Sequence, residues 1–185
     1  MPRILSPSIF GAALAALTLV TTAAEAANVT STGTVTGSVL SAATSATPSF
    51  SANLDSGDST QTYTVPLTVQ DTRGTGAGWN LTVTSTTFTT GGGSPQTLAT
   101  TASSLTGVTS SCSTGTCTNP SNAQTYPISV PAAASAPTAV KFFNTTANNG
   151  MGRFTVTPTV GVTIPQNAFA GTYTSTVTLS IVTGP

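Results

Sequence analysis

The sequence predicts an all-β fold, a single-domain β-sandwich or barrel-like sandwich, on three observations. Apolar residues alternate with Thr and Ser at period two in several separate runs. These runs are short and punctuated by Gly, Pro, Asn and Asp, as the turns of sandwiches and barrels require. Beyond the first residues, no stretch repeats apolar positions at the three-to-four spacing of an amphipathic helix. Thr, the recurrent polar partner, favours strands because its β-branch suits a pleated surface.

The chain of 185 residues opens on a leader. Arg3 supplies a positive start, Ile9 to Val20 an apolar run, and Ala24-Glu25-Ala26 the small residues of a cleavage site. This is the three-part pattern of a secretory signal peptide. The apolar run falls short of the roughly 20 residues a membrane span needs. Cleavage is therefore expected, dividing the chain into a leader over 1–26 and one all-β domain over 27–185, with no membrane span in the mature part.

Along the mature chain, Tyr63, Val65, Leu67 and Val69 share one face against Thr64, Thr68 and Gln70, the signature of a half-buried strand. A reversal follows. Gly74, Gly76 and Gly78 permit the positive φ angles of a tight loop. Asp71 and Arg73, two apart at the strand end, can pair with each other or with loop backbone, worth about 1 kcal/mol if exposed. Trp79, Leu81 and Val83 then resume the alternation.

Ser103 to Asn122 is the least patterned stretch and reads as an exposed loop. Cys112 and Cys117, the two cysteines of the chain, are expected to staple it with a disulfide, since an exported protein meets oxidising conditions. Ala132 to Ala139 reads as a linker or a short turn of helix. Alternation returns at Phe154, Val156, Val160, Val162 and Ile164, then at Tyr173, Val177, Leu179 and Ile181. Between the runs, turns are signalled at Asp55–Asp58, Gly91–Pro95, Asn119-Pro120, Asn148–Gly150 and Ala170-Gly171.

Charge and chemistry are sparse. Charged residues make up 4% of the chain and its net charge is zero, which argues against nucleic acid as a partner. After the leader only Asp55, Asp58, Asp71, Arg73, Lys141 and Arg153 carry charged side chains, and there is no histidine. A Ser-His-Asp triad is excluded. Lys141 lies in the plain apolar context Ala139-Val-Lys-Phe-Phe143, with no nucleophile motif beside it, so no enzyme activity is expected. One cysteine pair without histidine does not make a zinc site. Asp55 and Asp58 form a thin calcium site at best and read as a polar turn around Gly57. Gly74 to Gly78 feeds a strand rather than a helix, which removes the phosphate-loop reading. No cofactor or metal is expected. Sequons at Asn28, Asn80 and Asn144 carry no weight in so Thr-rich a chain.

Trp79 is the single tryptophan. It reads either as a core anchor whose indole N–H needs one partner or as an exposed platform for a sugar ring. Both readings stand at this level.

The run Asp71-Thr-Arg-Gly-Thr-Gly-Ala-Gly-Trp-Asn-Leu81 closely resembles the proximal motif of the WxL family of bacterial surface proteins. Ile164-Pro165, Ala170-Gly-Thr-Tyr173 and the closing Gly184-Pro185 resemble the end of that domain. The family's distal Tyr-x-x-x-Trp-x-Leu survives here as Tyr173 and Leu179, with Val177 in place of Trp. The resemblance implies an exported, non-catalytic domain, secreted and held without a covalent bond on peptidoglycan or another cell-wall polymer, beside other surface proteins. It also implies Trp79, Leu81, Tyr173 and Leu179 as binding residues, with Asp71, Arg73, Gly74, Gly76 and Gly78 supporting the motif. The alternative is a structural surface or fibre subunit that assembles with itself through strand edges, which the uncharged, hydroxyl-rich strands suit.

Overall fold

The alternating runs become strands except at Val65-Pro66 and around Tyr173. The computed structural model describes residues 30–185; the expected leader and the Asn28 sequon lie outside them. Within the compact unit Val35–Pro185 the strands are β1 (Leu40–Ala43), β2 (Ser59–Thr64), β3 (Leu67–Asp71), β4 (Trp79–Thr86) and β5 (Ser103–Thr118). After them come β6 (Ile128–Ser129), β7 (Ala132–Ala133), β8 (Val140–Thr145), β9 (Met151–Ile164) and β10 (Val177–Thr183). A short 3-10 turn over Leu54–Ser56 is capped by the Asn53 side chain and ended by Gly57 at φ 83°.

Two sheets form. The six-stranded one runs β1-β3-β9-β5-β6, and β2 also pairs with β9. Because β5 lines the whole of β9 on one side, β2 and β3 share the other in succession, separated at Val65-Pro66. The four-stranded sheet places β4 between β10 on one side and β7 and β8 on the other. Inward faces interleave as the alternation requires: Tyr63, Leu67 and Val69 meet Phe154, Val156, Val160 and Val162 of β9 and Trp79, Leu81 and Val83 of β4 in one buried cluster. Burying each such side chain is worth about 1.5–3 kcal/mol, so this double row carries the fold.

Three expectations are corrected. Ser103–Thr118 is not a loop but a strand of 16 residues. Its outer half from Thr109 to Thr116 is exposed, so it carries no apolar alternation; the long β9 beside it supplies a ladder of backbone partners instead. The disulfide Cys112–Cys117 does form, closing a bulge where the β5–β9 register shifts between Thr114 and Thr118. Ala132–Ala139 contains no helix; Ala132 and Ala133 pair in parallel with Ser85 and Thr86. Tyr173 stands outside the last strand, which starts at Val177.

Candidate functional site

The glycine-rich reversal between β3 and β4 is a clamp. Asp71 is buried, and Arg73 grips both its oxygens, Nε to Oδ1 and Nη2 to Oδ2, each at 2.9 Å. Arg73 Nη2 also donates to the Gly78 carbonyl and Nη1 to Thr183 Oγ1, both at 2.9 Å. One guanidinium therefore ties the end of β3, the loop and the end of β10. Its hydrogen bond to Asp71 raises the Arg73 pKa further above the ordinary range. Because the carboxylate is 1% exposed, the pair exceeds the surface value expected above: losing Arg73 strands a buried charge, at a cost of about 3–5 kcal/mol.

Glycine is required here by contact as well as by φ. A Cβ on Gly78 (φ 70°) would stand 2.6 Å from the Thr145 carbonyl, and one on Gly150 (φ 68°) would stand 2.8 Å from the Trp79 ring nitrogen. The loop backbone is held from the far side too, Asn148 N–H donating to the Gly76 carbonyl at 2.8 Å.

Trp79 is fully buried. Its indole N–H donates to the Gly150 carbonyl at 2.8 Å. The ring lies 5.7 Å from Phe143 of β8 in a stacked pose and 6.5 Å from Phe154 of β9. Leu81 is likewise at 0% exposure. Trp79 stands as a core anchor, and neither Trp79 nor Leu81 presents accessible surface in this conformation. Alternation groups Trp79 with Leu81 and Val83 on one face, but whether that face is covered depends on the second sheet.

The four motif residues do not gather. Trp79 pairs with Thr183 and Leu81 with Ile181, whereas Leu179 lies opposite Val83. The ladder ends at Val177 opposite Ser85, roughly 20 Å from Trp79 at strand rise. Tyr173 belongs to that far end, beyond Val177.

There, Tyr173 and Leu179 line a groove of about 810 Å³ between the chain following β1 and the chain leading into β10. Pattern reading missed it, because its walls come from irregular segments, Thr44 to Leu54 and Ala168 to Thr176. Its rings are Phe50, Tyr63, Phe88, Phe169 and Tyr173, its remaining polar lining is Ser and Thr, and none of its lining residues is charged. Phe50 stacks on Tyr63 at 5.9 Å and meets Phe88 edge-on at 5.7 Å. Tyr173 Oη donates to the Phe169 carbonyl at 2.9 Å, while the Phe169 ring stands 66% exposed. Burial pushes the Tyr63 phenol up to about 12.

The remaining polar candidates have structural occupations. Asp58 Oδ1 accepts from the Gln166 N–H at 2.8 Å, and Lys141 Nζ donates to the Pro185 carbonyl at 2.9 Å. Asn80 and Asn144 are buried and bonded to the Gly184 carbonyl and the Ala123 N–H respectively. Among the described residues no helix is long and apolar enough to cross a membrane.

Set against known proteins, residues 33–185 match the family model described as WxL domain surface cell wall-binding. No curated protein and no solved structure matches.

Proposed function

Since the chain belongs to the WxL family of surface cell-wall-binding domains, we propose that it is a non-catalytic module that holds peptidoglycan without a covalent bond, in the groove around Tyr173 and Leu179. It acts as residues 27–185, after loss of its leader. Membership in the family assigns it to the cell surface; the choice of polymer and contact face is the proposal.

The groove is the observation that carries it. Sugar rings offer apolar faces that pack on aromatic rings and hydroxyls that exchange hydrogen bonds with Ser and Thr, the composition of these walls. Phe169 presents an exposed ring at the mouth, and an aromatic ring offers an apolar face on which a sugar ring can pack. Absence of catalysis is supported by the short supply of titratable groups and the lack of any histidine. Trp79 and Leu81 serve the same end from within, by fixing β4 so that β10 and the chain leading into it hold their places.

The test is co-sedimentation of the secreted chain with purified peptidoglycan. Phe169→Ala and Tyr173→Ala are expected to weaken retention about tenfold or more with far-UV circular dichroism unchanged, because both side chains lie outside the buried core. Trp79→Ala is expected to reduce retention only together with the fold. Undiminished retention of both groove variants would refute the groove as the contact face, and failure of the wild type to sediment would refute wall attachment itself.

A further inference from the structure

A cell wall offers the groove beside Tyr173 three kinds of chemistry: sugar rings, carboxylate-bearing peptide stems and phosphate-bearing chains. The placement of charge on the domain separates them. Among the described residues the charged side chains are Asp55, Asp58, Asp71, Arg73, Lys141 and Arg153, and none of them lines the groove. The three cations are held elsewhere. Arg73 is bonded to Asp71 and to Thr183, at the Trp79 end of the β4–β10 ladder, and Lys141 Nζ donates to the Pro185 carbonyl just beyond it. Arg153 stands opposite Gln70, beside the Asp71–Gly152 pair. The charges next to the groove are both acidic: Asp55 follows Leu54 of its lining, and Asp58 accepts from the Gln166 N–H, two residues before Ala168.

The lining also holds hydroxyls that the fold does not use. Thr47, Ser49, Ser51 and Thr172 are exposed, and their side chains make no hydrogen bond to protein among the described residues. A hydroxyl both donates and accepts, so these four match the hydroxyls and amides of a sugar without regard to charge. The wall that carries Thr172 and Tyr173 is pinned before any ligand arrives. Thr89 and Thr174 exchange both backbone hydrogen bonds, at 3.0 and 2.9 Å, Ser175 Oγ donates to the Thr86 carbonyl and Tyr173 Oη to that of Phe169. Holding a wall in its bound shape reduces the ordering cost of binding.

We infer that the groove takes the uncharged sugar chain of the wall polymer and excludes its carboxylate-bearing stems and any phosphate-bearing chain, an inference that rests on the groove being the contact face. A carboxylate or phosphate brought in would shed water and meet no cation, and burying an unpaired charge is costly. Asp55 and Asp58 beside the groove would repel it as well. A sugar gives up only hydrogen bonds to water, which Ser and Thr replace, and gains the apolar faces of Phe169 and Tyr173. At about 810 Å³ the groove falls within the roughly 300–1,000 Å³ of sites that enclose a drug-sized ligand, which is room for a few sugar units of a longer chain.

Calorimetric titration of the secreted chain with the uncharged N-acetylglucosamine tetramer tests this, beside a free stem peptide and poly(glycerol phosphate). The tetramer is expected to bind with a Kd on the order of 1 mM or tighter and to displace the chain from purified peptidoglycan; the two charged probes should do neither. Phe169→Ala, at a ring 66% exposed, keeps the fold and should weaken tetramer binding about tenfold. Retention on peptidoglycan should change by less than about twofold between about 0.1 M and 1 M salt, over which the screening length falls from about 10 Å to about 3 Å. Retention that needs Phe169 and Tyr173 yet yields to a charged probe, or falls steeply with salt, would overturn the sugar reading while leaving the groove as the contact face. No tetramer binding up to about 10 mM, or binding undiminished in Phe169→Ala and Tyr173→Ala, would overturn it too. A wild type that binds the tetramer through these residues without sedimenting would uphold the sugar reading and refute wall attachment alone.

Discussion

Tyr63 shows how one side chain can report on the core. Its ring is buried beneath Phe50, and desolvation raises its pKa to about 12 from an ordinary 10.0. A folded-state pKa above the unfolded one favours the protonated form in the fold. The contribution is therefore complete below pH 10 and lost as pH climbs toward 12. Thermal unfolding followed across this range is expected to show a fall in midpoint that Tyr63→Phe reduces; an unchanged fall would mean that another group is responsible. Trp79 makes a related point about legibility. Its need for a hydrogen-bond partner was readable from its chemistry, but the partner, the carbonyl of Gly150, is 71 residues away and emerges only when β9 crosses beneath β4. Asp71 and Arg73 were recognisable as a pair from spacing; what spacing does not show is that Asp71 lies between β1 and β9, opposite Leu40 and Gly152, and that Arg73 reaches on to Thr183 and the Gly78 carbonyl.

At the scale of elements, β3, β4, β9 and β10 were legible because each turns an apolar face to the core and a polar, mostly Thr face away from it, which period two records. β5 was not. Its outer half is exposed on both faces, and its conformation is set by the neighbour it pairs with, so its own residues carry no alternation to read. The disulfide sits on this exposed portion, at a bulge rather than in the core. Closing so short a loop stabilises by about 2 kcal/mol through chain entropy. Paired replacement of Cys112 and Cys117 by Ser is accordingly expected to lower stability in urea by about that amount while the far-UV spectrum of the strands stays the same. Loss of the strand spectrum would show instead that the bulge nucleates β5.

Taken whole, the domain has its two sheets coupled through Trp79, which rests on Phe143 of one sheet and Phe154 of the other, and through Arg73, which joins β3 to β10. Coupling of this kind makes unfolding cooperative. Denaturant curves from indole fluorescence and from far-UV circular dichroism are expected to coincide; separated midpoints would mean the sheets unfold independently. Sequence by itself determined the all-β class, the principal strands, the reversal at Gly74–Gly78 and the family resemblance, because each is written in local periodicity or in a contiguous motif. Only the tertiary structure decided that Trp79 and Leu81 face inward, that Leu179 sits opposite Val83 with Tyr173 beyond the far end of that ladder, and that a groove opens there. The reason is physical: alternation tells which residues share a face, whereas burial of that face depends on the strand or loop that folds across it from a distant part of the chain.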